Sequence, residues 1–401
     1  MGEPQVVIVG AGPVGLTLAL RLAASGIPST VLESEPVLAR DLRASTFHPP
    51  TLDMLEDSGI TAELLAQGRK CPTWQIRLHE TGERAVFDLG VLRQETRHPY
   101  RLQCEQHRLC AALLDRVVAS PLVEIQWETR ATGFVEGAQD VTISADSNGT
   151  ACQLKGTLVV GADGARSVIR ETLGLEFEGS TYPEQTILAT TAFAFQEHLE
   201  GLSNVNYVWF DGGTFSLLRL PDVWRCSLYP DAGESLEDAM RPESIERKLQ
   251  RVVPRERPYD VLESRAYRLH KRVVARYRVG RVLLAGDAAH INSPSGGMGM
   301  NGGIHDAFEL ASTIAQSWSD LRCGMLPPLL DRYERRRRPV AAEEILAQAD
   351  RNRARMQERD ADRRRQSLAD LQAVAADPDR CRAHLLKSSM IEGLRRAAQI
   401  E

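Results

Sequence analysis

Two textures of hydrophobic and polar positions alternate along the chain. Gln5-Val-Val-Ile-Val9 is an unbroken β-branched run, the pattern of a strand buried on both faces. Leu16 to Ser25 carries Leu and Ala at helical spacing, Gly26 ends it, and Ser29 to Glu33 predicts a second buried strand. Thr51 to Ser58 predicts a short helix stopped by Gly59. Trp74 to Leu89 instead alternates apolar and polar residues, as strands of an antiparallel layer do. A helix is predicted over Glu105 to Val118, with Leu109, Leu113 and Leu114 inside. Val123 to Trp127, Gly133 to Ser144 and Cys152 to Lys155 then suggest a small β-meander with a turn at Asp146-Ser-Asn-Gly149. Thr157 to Gly161 returns to the continuous apolar pattern. Thr186 to Tyr229 is alternating and aromatic-rich, Ser235 to Val252 helical and charged, and Tyr259 to Lys271 a strand. Gly280 to Gly286 is another buried strand, leading through a glycine-rich loop to a helix near Asn301. Everything after Pro328 has helical spacing.

Three strands of the buried kind end in glycine bends. In the first, Gly10 permits a tight strand-to-helix turn, Gly12 lets backbone approach a pyrophosphate, and Gly15 lets helix and strand pack closely. The phosphates would lie at the helix N-terminus, where unpaired N–H groups and the dipole favour negative charge. Glu33 ends the next strand at the distance where an acid accepts the ribose hydroxyls of an adenine dinucleotide. The second bend is Gly161-Ala-Asp163-Gly164, with a basic helix start after it. The third is Gly286-Asp287, followed by Pro294-Ser-Gly-Gly-Met298-Gly-Met300-Asn301. Gly296, Gly297, Gly299, Gly302 and Gly303, so close together, suit close approach by a ligand or a neighbouring backbone. Only the first bend has the GxGxxG spacing, so a second dinucleotide would bind transiently, without a Rossmann domain of its own.

With 401 residues the chain has room for two or three domains. Its 49 basic and 54 acidic residues leave a net charge of −5, which gives no footprint for nucleic acid. Seven cysteines without a CxxC pair suit a reducing cytoplasm and are expected as buried apolar thiols, with no metal site. No apolar run is long enough to span a bilayer. The mixed-sign tail, dense in Arg from Arg335 to Arg365, is expected to present a solvated face.

On these three bends the chain resembles the single-component FAD-dependent aromatic hydroxylases with the para-hydroxybenzoate hydroxylase fold, over most of residues 4–340. The fold implied is α/β: a Rossmann-type FAD-binding domain interleaved with an antiparallel-sheet substrate domain, plus C-terminal helices. The FAD-binding segments are expected at 1–73, 101–180 and 273–325, the substrate segments at 74–100 and 181–272, and the helical region at 326–401. The resemblance implies that Gly10, Gly12, Pro13 and Gly15 hold the FAD pyrophosphate and Glu33 the adenosine ribose. It places Arg43 and Gln103 against FAD, and Asp163-Gly164 in a motif tied to FAD and reduced nicotinamide. It places Gly286-Asp287 at the ribityl–pyrophosphate portion, Gly299, Met300 and Asn301 at the isoalloxazine, and the Pro294 carbonyl beside the ring, facing substrate. Ser34 stands where the family often has a basic residue.

The activity implied is hydroxylation of a phenolic or heteroaromatic small molecule with O2 and NADPH or NADH, through a flavin hydroperoxide, in a cytoplasmic monomer or homodimer. Such chemistry needs a dry chamber. The aromatic meander offers Tyr207, Trp209, Phe215, Leu217, Arg219 and Tyr229 as its lining, opposite the Pro294–Asn301 loop. A group that helps ionise a phenol speeds attack, and His48, His290, Arg219 and the Pro294 carbonyl are the candidates. A reductase or dehydrogenase without oxygen insertion would keep every FAD motif. A flavin halogenase normally carries a Trp-x-Trp element, absent here. From another class, a flavin-dependent switch would use the charged tail to bind a partner.

Overall fold

The computed structural model describes residues 5–40 and 44–401; Arg43 lies outside the described residues. The continuous apolar runs form a six-stranded sheet: Val6–Val9 is flanked by Leu158–Gly161 and Ser29–Leu32, all parallel. Val282–Leu284 extends it on one side and Val123–Gln126 on the other. Val123–Gln126 thus belongs to the parallel sheet and not to the meander; a short apolar run carries no signal of its partner's direction. The meander is Thr129–Glu136, Val141–Ser147 and Thr150–Gly156, and the run expected as one strand turns back between Gly137 and Asp140. The first helix, Pro13–Ala24, packs on the parallel sheet beside the long helix Gly299–Leu321.

The alternating segments form an eight-stranded, mostly antiparallel sheet. Its centre is Phe177–Thr191, Trp224–Leu228, Gly213–Arg219 and Val205–Phe210, with Thr73–Leu78 added parallel to the last. Each face has its own cover. Helices Leu236–Ala239 and Pro242–Val252 lie over one, packed on Val208, Phe215, Leu217, Trp224, Cys226 and Leu228. Pro242 separates the two helices, since it starts a helix but cannot continue one.

The tail covers the other face. Asp331–Pro339 runs through a π-helical turn, Val340–Leu346, into the cap helix Ala347–Gln357. Ala361–Ala376, Pro378–Ser388 and Ile391–Ala398 follow. Met356, Leu368, Leu371, Leu385 and Ile391 pack against Trp74, Ile76, Phe87 and Trp209. Arg364, expected in a solvated face, is buried and donates to the carbonyls of Phe210 (2.8 Å), Gly213 (2.9 Å) and Glu358 (2.7 Å). The charge pattern hid this because a long arginine stem packs like an apolar side chain. Five cysteines are buried as expected, whereas Cys152 is half-buried and Cys323 exposed.

Candidate active site

The three glycine bends meet at the carboxyl end of the parallel sheet. Gly10 sits at φ +106°, and a Cβ there would lie 2.5 Å from the Ala162 carbonyl oxygen. Ala285 N–H donates to the Gly161 carbonyl (2.9 Å), which brings the third bend beside the second. A Cβ on Gly15 would stand 1.9 Å from the Gly10 carbonyl oxygen, so this turn accepts no side chain. Glu33 Oε2 accepts the Ala11 N–H (2.8 Å) and Oε1 the Glu35 N–H (3.0 Å), which fixes the carboxylate at its strand end. Asp163 Oδ2 caps the following helix by accepting Val168 N–H (2.8 Å), while Oδ1 is buried without a partner among the described residues. Burial pushes its carboxyl above the usual range. Gly164 follows at φ +78°, and Asp287 is exposed at the same edge.

This constellation fits FAD. Gly12 caps the first helix without a side chain, Pro13 begins it, and a Cβ on Gly12 would meet nothing within 4 Å. That is an anion cradle with room for a pyrophosphate.

The loop after Asp287 is clamped by one amide. Buried Asn301 accepts the His48 N–H (2.9 Å) and Thr51 Oγ1 (2.7 Å), and donates to the carbonyls of Thr46 (2.8 Å) and Gly297 (2.7 Å). Its side chain is saturated, so only backbone at Gly299, Met300 and Asn301 is left for a ligand. The Pro294 carbonyl accepts the Gly297 N–H (2.9 Å) within the loop's own turn. Gln103 joins the same region, sharing hydrogen bonds with Thr46 and Ser45, while Arg225 Nη1 donates to Ser45 Oγ (3.0 Å) from the eight-stranded sheet.

His48 reaches this loop's backbone directly. Its Nε2 lies 2.8 Å from the Gly296 carbonyl, and Nδ1 has no partner among the described residues. A carbonyl only accepts, so the proton belongs on Nε2 and Nδ1 carries the free lone pair. Burial, reinforced by the Arg101 guanidinium, pulls His48 down to about 3, so the ring is neutral at physiological pH.

His290, a sequence candidate for phenol ionisation, is engaged elsewhere. Its Nε2 is 2.7 Å from Asp306 Oδ2, and Arg337 Nε donates to Asp306 Oδ1 at 2.7 Å. Asp306 Oδ2 also accepts Gly286 N–H (3.1 Å). This buried triad ties the third bend to the long helix and to the tail. Arg337 lay hidden in an arginine run with nothing to single it out.

Of the lining residues predicted from the aromatic meander, the sheet separates two groups. Tyr207 and Trp209 face the tail, and Tyr207 meets Trp74 edge-on at 6.1 Å. Trp209 Nε1 donates to the Arg355 carbonyl (3.0 Å), so it anchors the cap helix. Tyr229 shares this face, beside Thr186, Tyr207 and the unforeseen Tyr267. Burial pushes both phenols up, which keeps them protonated donors. Phe215 and Leu217 point the other way, under Pro242–Val252. Arg219 shares that opposite side, its guanidinium 5.8 Å from the Trp224 ring centroid. Both faces are apolar, so alternation alone could not tell which was which. The cap helix closes the Tyr207 side: Asn352 Nδ2 donates to the Ser295 carbonyl (3.4 Å), Asp350 holds Tyr182 and Lys271, and Arg353 pairs with Glu184.

The sequence profile of the FAD binding domain family matches residues 3–349. Para-nitrophenol 4-monooxygenase of a Pseudomonas species is 34% identical over 396 residues, spanning 97% of this chain and 96% of that one. The chain belongs to the FAD-dependent aromatic hydroxylases. Another relative in this family, 6-hydroxy-3-succinoylpyridine 3-monooxygenase of Pseudomonas putida, is 32% identical and covers 87% of this chain and 88% of its own length. The crystal structure of p-nitrophenol 4-monooxygenase from Pseudomonas putida superposes with a TM-score of 0.89 at 31% identity, covering 98% of both chains. The hydroxylase is therefore a flavoprotein monooxygenase of aromatic compounds that uses FAD. Among its described residues no helix is long and apolar enough to cross a membrane.

Proposed function

We propose that this hydroxylase acts on a small phenolic or hydroxylated heteroaromatic ring, held between the Pro294–Asn301 loop and the sheet face covered by the cap helix. The observation that carries this is His48: a buried neutral imidazole with its tautomer set by Gly296 and an acceptor, Nδ1, that no described residue fills, beside the loop. A phenol hydroxyl supplies the missing donor. Accepting that hydrogen bond raises electron density on the ring, which electrophilic oxygen transfer requires. With a basicity near 3 the imidazole polarises the hydroxyl and does not remove its proton from a resting phenol.

FAD held by Gly10, Gly12, Pro13, Gly15, Glu33, Gln103, Asp163, Gly164, Gly286 and Asp287 supplies hydride acceptance from NAD(P)H and activation of O2. The chain contributes positioning and exclusion of water. Tyr207, Tyr229 and Tyr267 offer hydroxyls on an apolar floor, and Trp209 and Arg364 fasten the tail that shuts out solvent. The working form is a cytoplasmic monomer or homodimer.

The decisive experiment screens phenols and hydroxypyridines for accelerated NAD(P)H consumption and identifies products by mass spectrometry. A product heavier by one oxygen atom is expected; consumption that no aromatic compound stimulates would defeat the proposal. His48→Ala is expected to lower product formed per NAD(P)H consumed, with kcat for hydroxylation down by about 10²-fold or more. A variant that hydroxylates at the native rate would remove His48 from the mechanism.

A further inference from the structure

Several buried arginines in this protein are well engaged, even where single nitrogens of Arg77 and Arg337 lack a hydrogen-bond partner among the described residues. Arg364 donates to three backbone carbonyls, Arg281 to those of Thr157, Ala138 and Gly324, and Arg337 to the Asp306 carboxylate. Arg101 is different. It is 3% exposed, yet Nε and Nη1 have no hydrogen-bond partner among the described residues, and no ion pair reaches its guanidinium there. Two more unpartnered nitrogens lie close by. The Arg101 guanidinium carbon is 5.2 Å from the Trp74 ring centroid, and Trp74 Nε1 is buried without an acceptor among the described residues. The His384 ring, carried by the helix Pro378–Ser388, lies 6.0 Å from Trp74 and 4.7 Å from Phe87, and its Nε2 also lacks a partner among the described residues. Arg101 is near enough to His48 to lower its basicity, so the cluster adjoins the imidazole at the flavin-side loop.

The chemistry of this set is one-sided. Guanidinium and indole N–H groups only donate, and an unprotonated His384 can donate from Nε2 as well. Cys71, the cross-strand neighbour of Arg101, supplies no counter-charge, because burial pushes its thiol up to about 12. Trp74, Phe87, Tyr207 and the His384 ring add flat apolar walls. The occupant must bring acceptors, negative charge and an aromatic plane.

We propose that Arg101, with Trp74 and His384, is a specificity-determining clamp for an anionic oxygen group, an ionised phenol or a ring carboxylate, on the aromatic substrate. This deepens the function proposed above and rests on the same chamber. Arg101 sets which aromatics are accepted; where the anion is a carboxylate or a second ring oxygen, His48 meets the remaining hydroxyl beside the loop.

The test compares Kd, from calorimetry on the FAD-loaded full-length protein, for 4-nitrophenolate, 4-hydroxybenzoate and the neutral 4-ethylphenol. Native protein is expected to favour one or both anions over 4-ethylphenol. Arg101→Gln should weaken the favoured anion by about 30-fold or more and 4-ethylphenol by less than about 3-fold, as expected for a buried charge partner. Arg101→Lys should recover part of the loss, since it keeps the charge without the fork. Trp74→Phe keeps the ring and removes only the N–H; a loss of about 3- to 10-fold, confined to anions, is the independent expectation. Dependence of only 4-nitrophenolate on Arg101 assigns the group as phenolate, and dependence of only 4-hydroxybenzoate assigns it as carboxylate. Native protein that binds 4-ethylphenol as tightly as either anion, or variants that weaken all three probes alike, would overturn the clamp. If anions bind through Arg101 but no oxygenated product ever forms, the clamp stands and the proposed hydroxylation falls. Oxygenated product with selectivity unchanged in both variants sinks the clamp alone.

Discussion

Gly12→Val is expected to give a folded protein that purifies without flavin and binds added FAD about 100-fold more weakly or worse, a loss of about 2.7 kcal/mol. Gly12 sits at φ −73°, a conformation any residue adopts, and a Cβ there meets no protein atom within 4 Å. The fold has no objection to valine. The cofactor does, because the branched side chain would stand where backbone must approach a pyrophosphate at the uncapped end of the first helix. Flavin absorbance after purification, FAD titration and far-UV circular dichroism measure the three parts of the claim. Gly10→Ala is the contrast. Its φ of +106° and the 2.5 Å approach to the Ala162 oxygen should cost folding as well as FAD. Near-native FAD affinity in the Gly12 variant would mean the phosphates lie elsewhere.

Asp306→Ala should be the most destabilising single change, by about 3–5 kcal/mol, since it strands the buried Arg337 charge. Both side chains are at most 1% exposed. For a chain of this length that is a fall in Tm of roughly 4–6 °C. Adding Arg337→Met should restore part of it by removing the orphaned charge. The pair also predicts acid sensitivity. Burial alone would raise the Asp306 carboxyl, but Arg337 and His290 more than offset it and hold it at about 2. Its folded-state value is thus depressed below the roughly 3.9 of an unfolded chain, so its stabilisation is complete above that value and is lost as pH falls toward 2. Denaturant melts between pH 5 and 2 should show this slope in the native protein and not in Asp306→Ala. Equal slopes would mean that other carboxylates govern the acid limb.

The route from sequence to site was uneven for physical reasons. Gly10, Gly12, Gly15 and Glu33 were legible because a tight turn, a close approach and an acid at a strand end each demand a residue type at a fixed spacing. His48 stood out only as a histidine before two prolines; its neutral tautomer comes from Gly296, which is 248 residues away. His290 looked equally chemical, and its partner Asp306 turned it into a support for the third bend. Phe215 and Leu217 were as good a lining as Tyr207 on paper, yet strand parity put them under the outer helices. Arg101 gave no signal at all. What sets it apart is a pair of nitrogens without a partner among the described residues, which only the surroundings reveal.

By itself, then, the chain determined the local steps: which runs are buried strands, where backbone must bend without a side chain, and which ends can face phosphate. Short-range sterics and hydrogen bonding decide these, so a few neighbouring residues suffice. Tertiary structure alone decided that the charged tail covers one sheet face, which face each aromatic of that sheet takes, and which buried polar groups find partners among the described residues. Those outcomes depend on partners brought together from 50 to more than 250 residues apart, and no local pattern contains them.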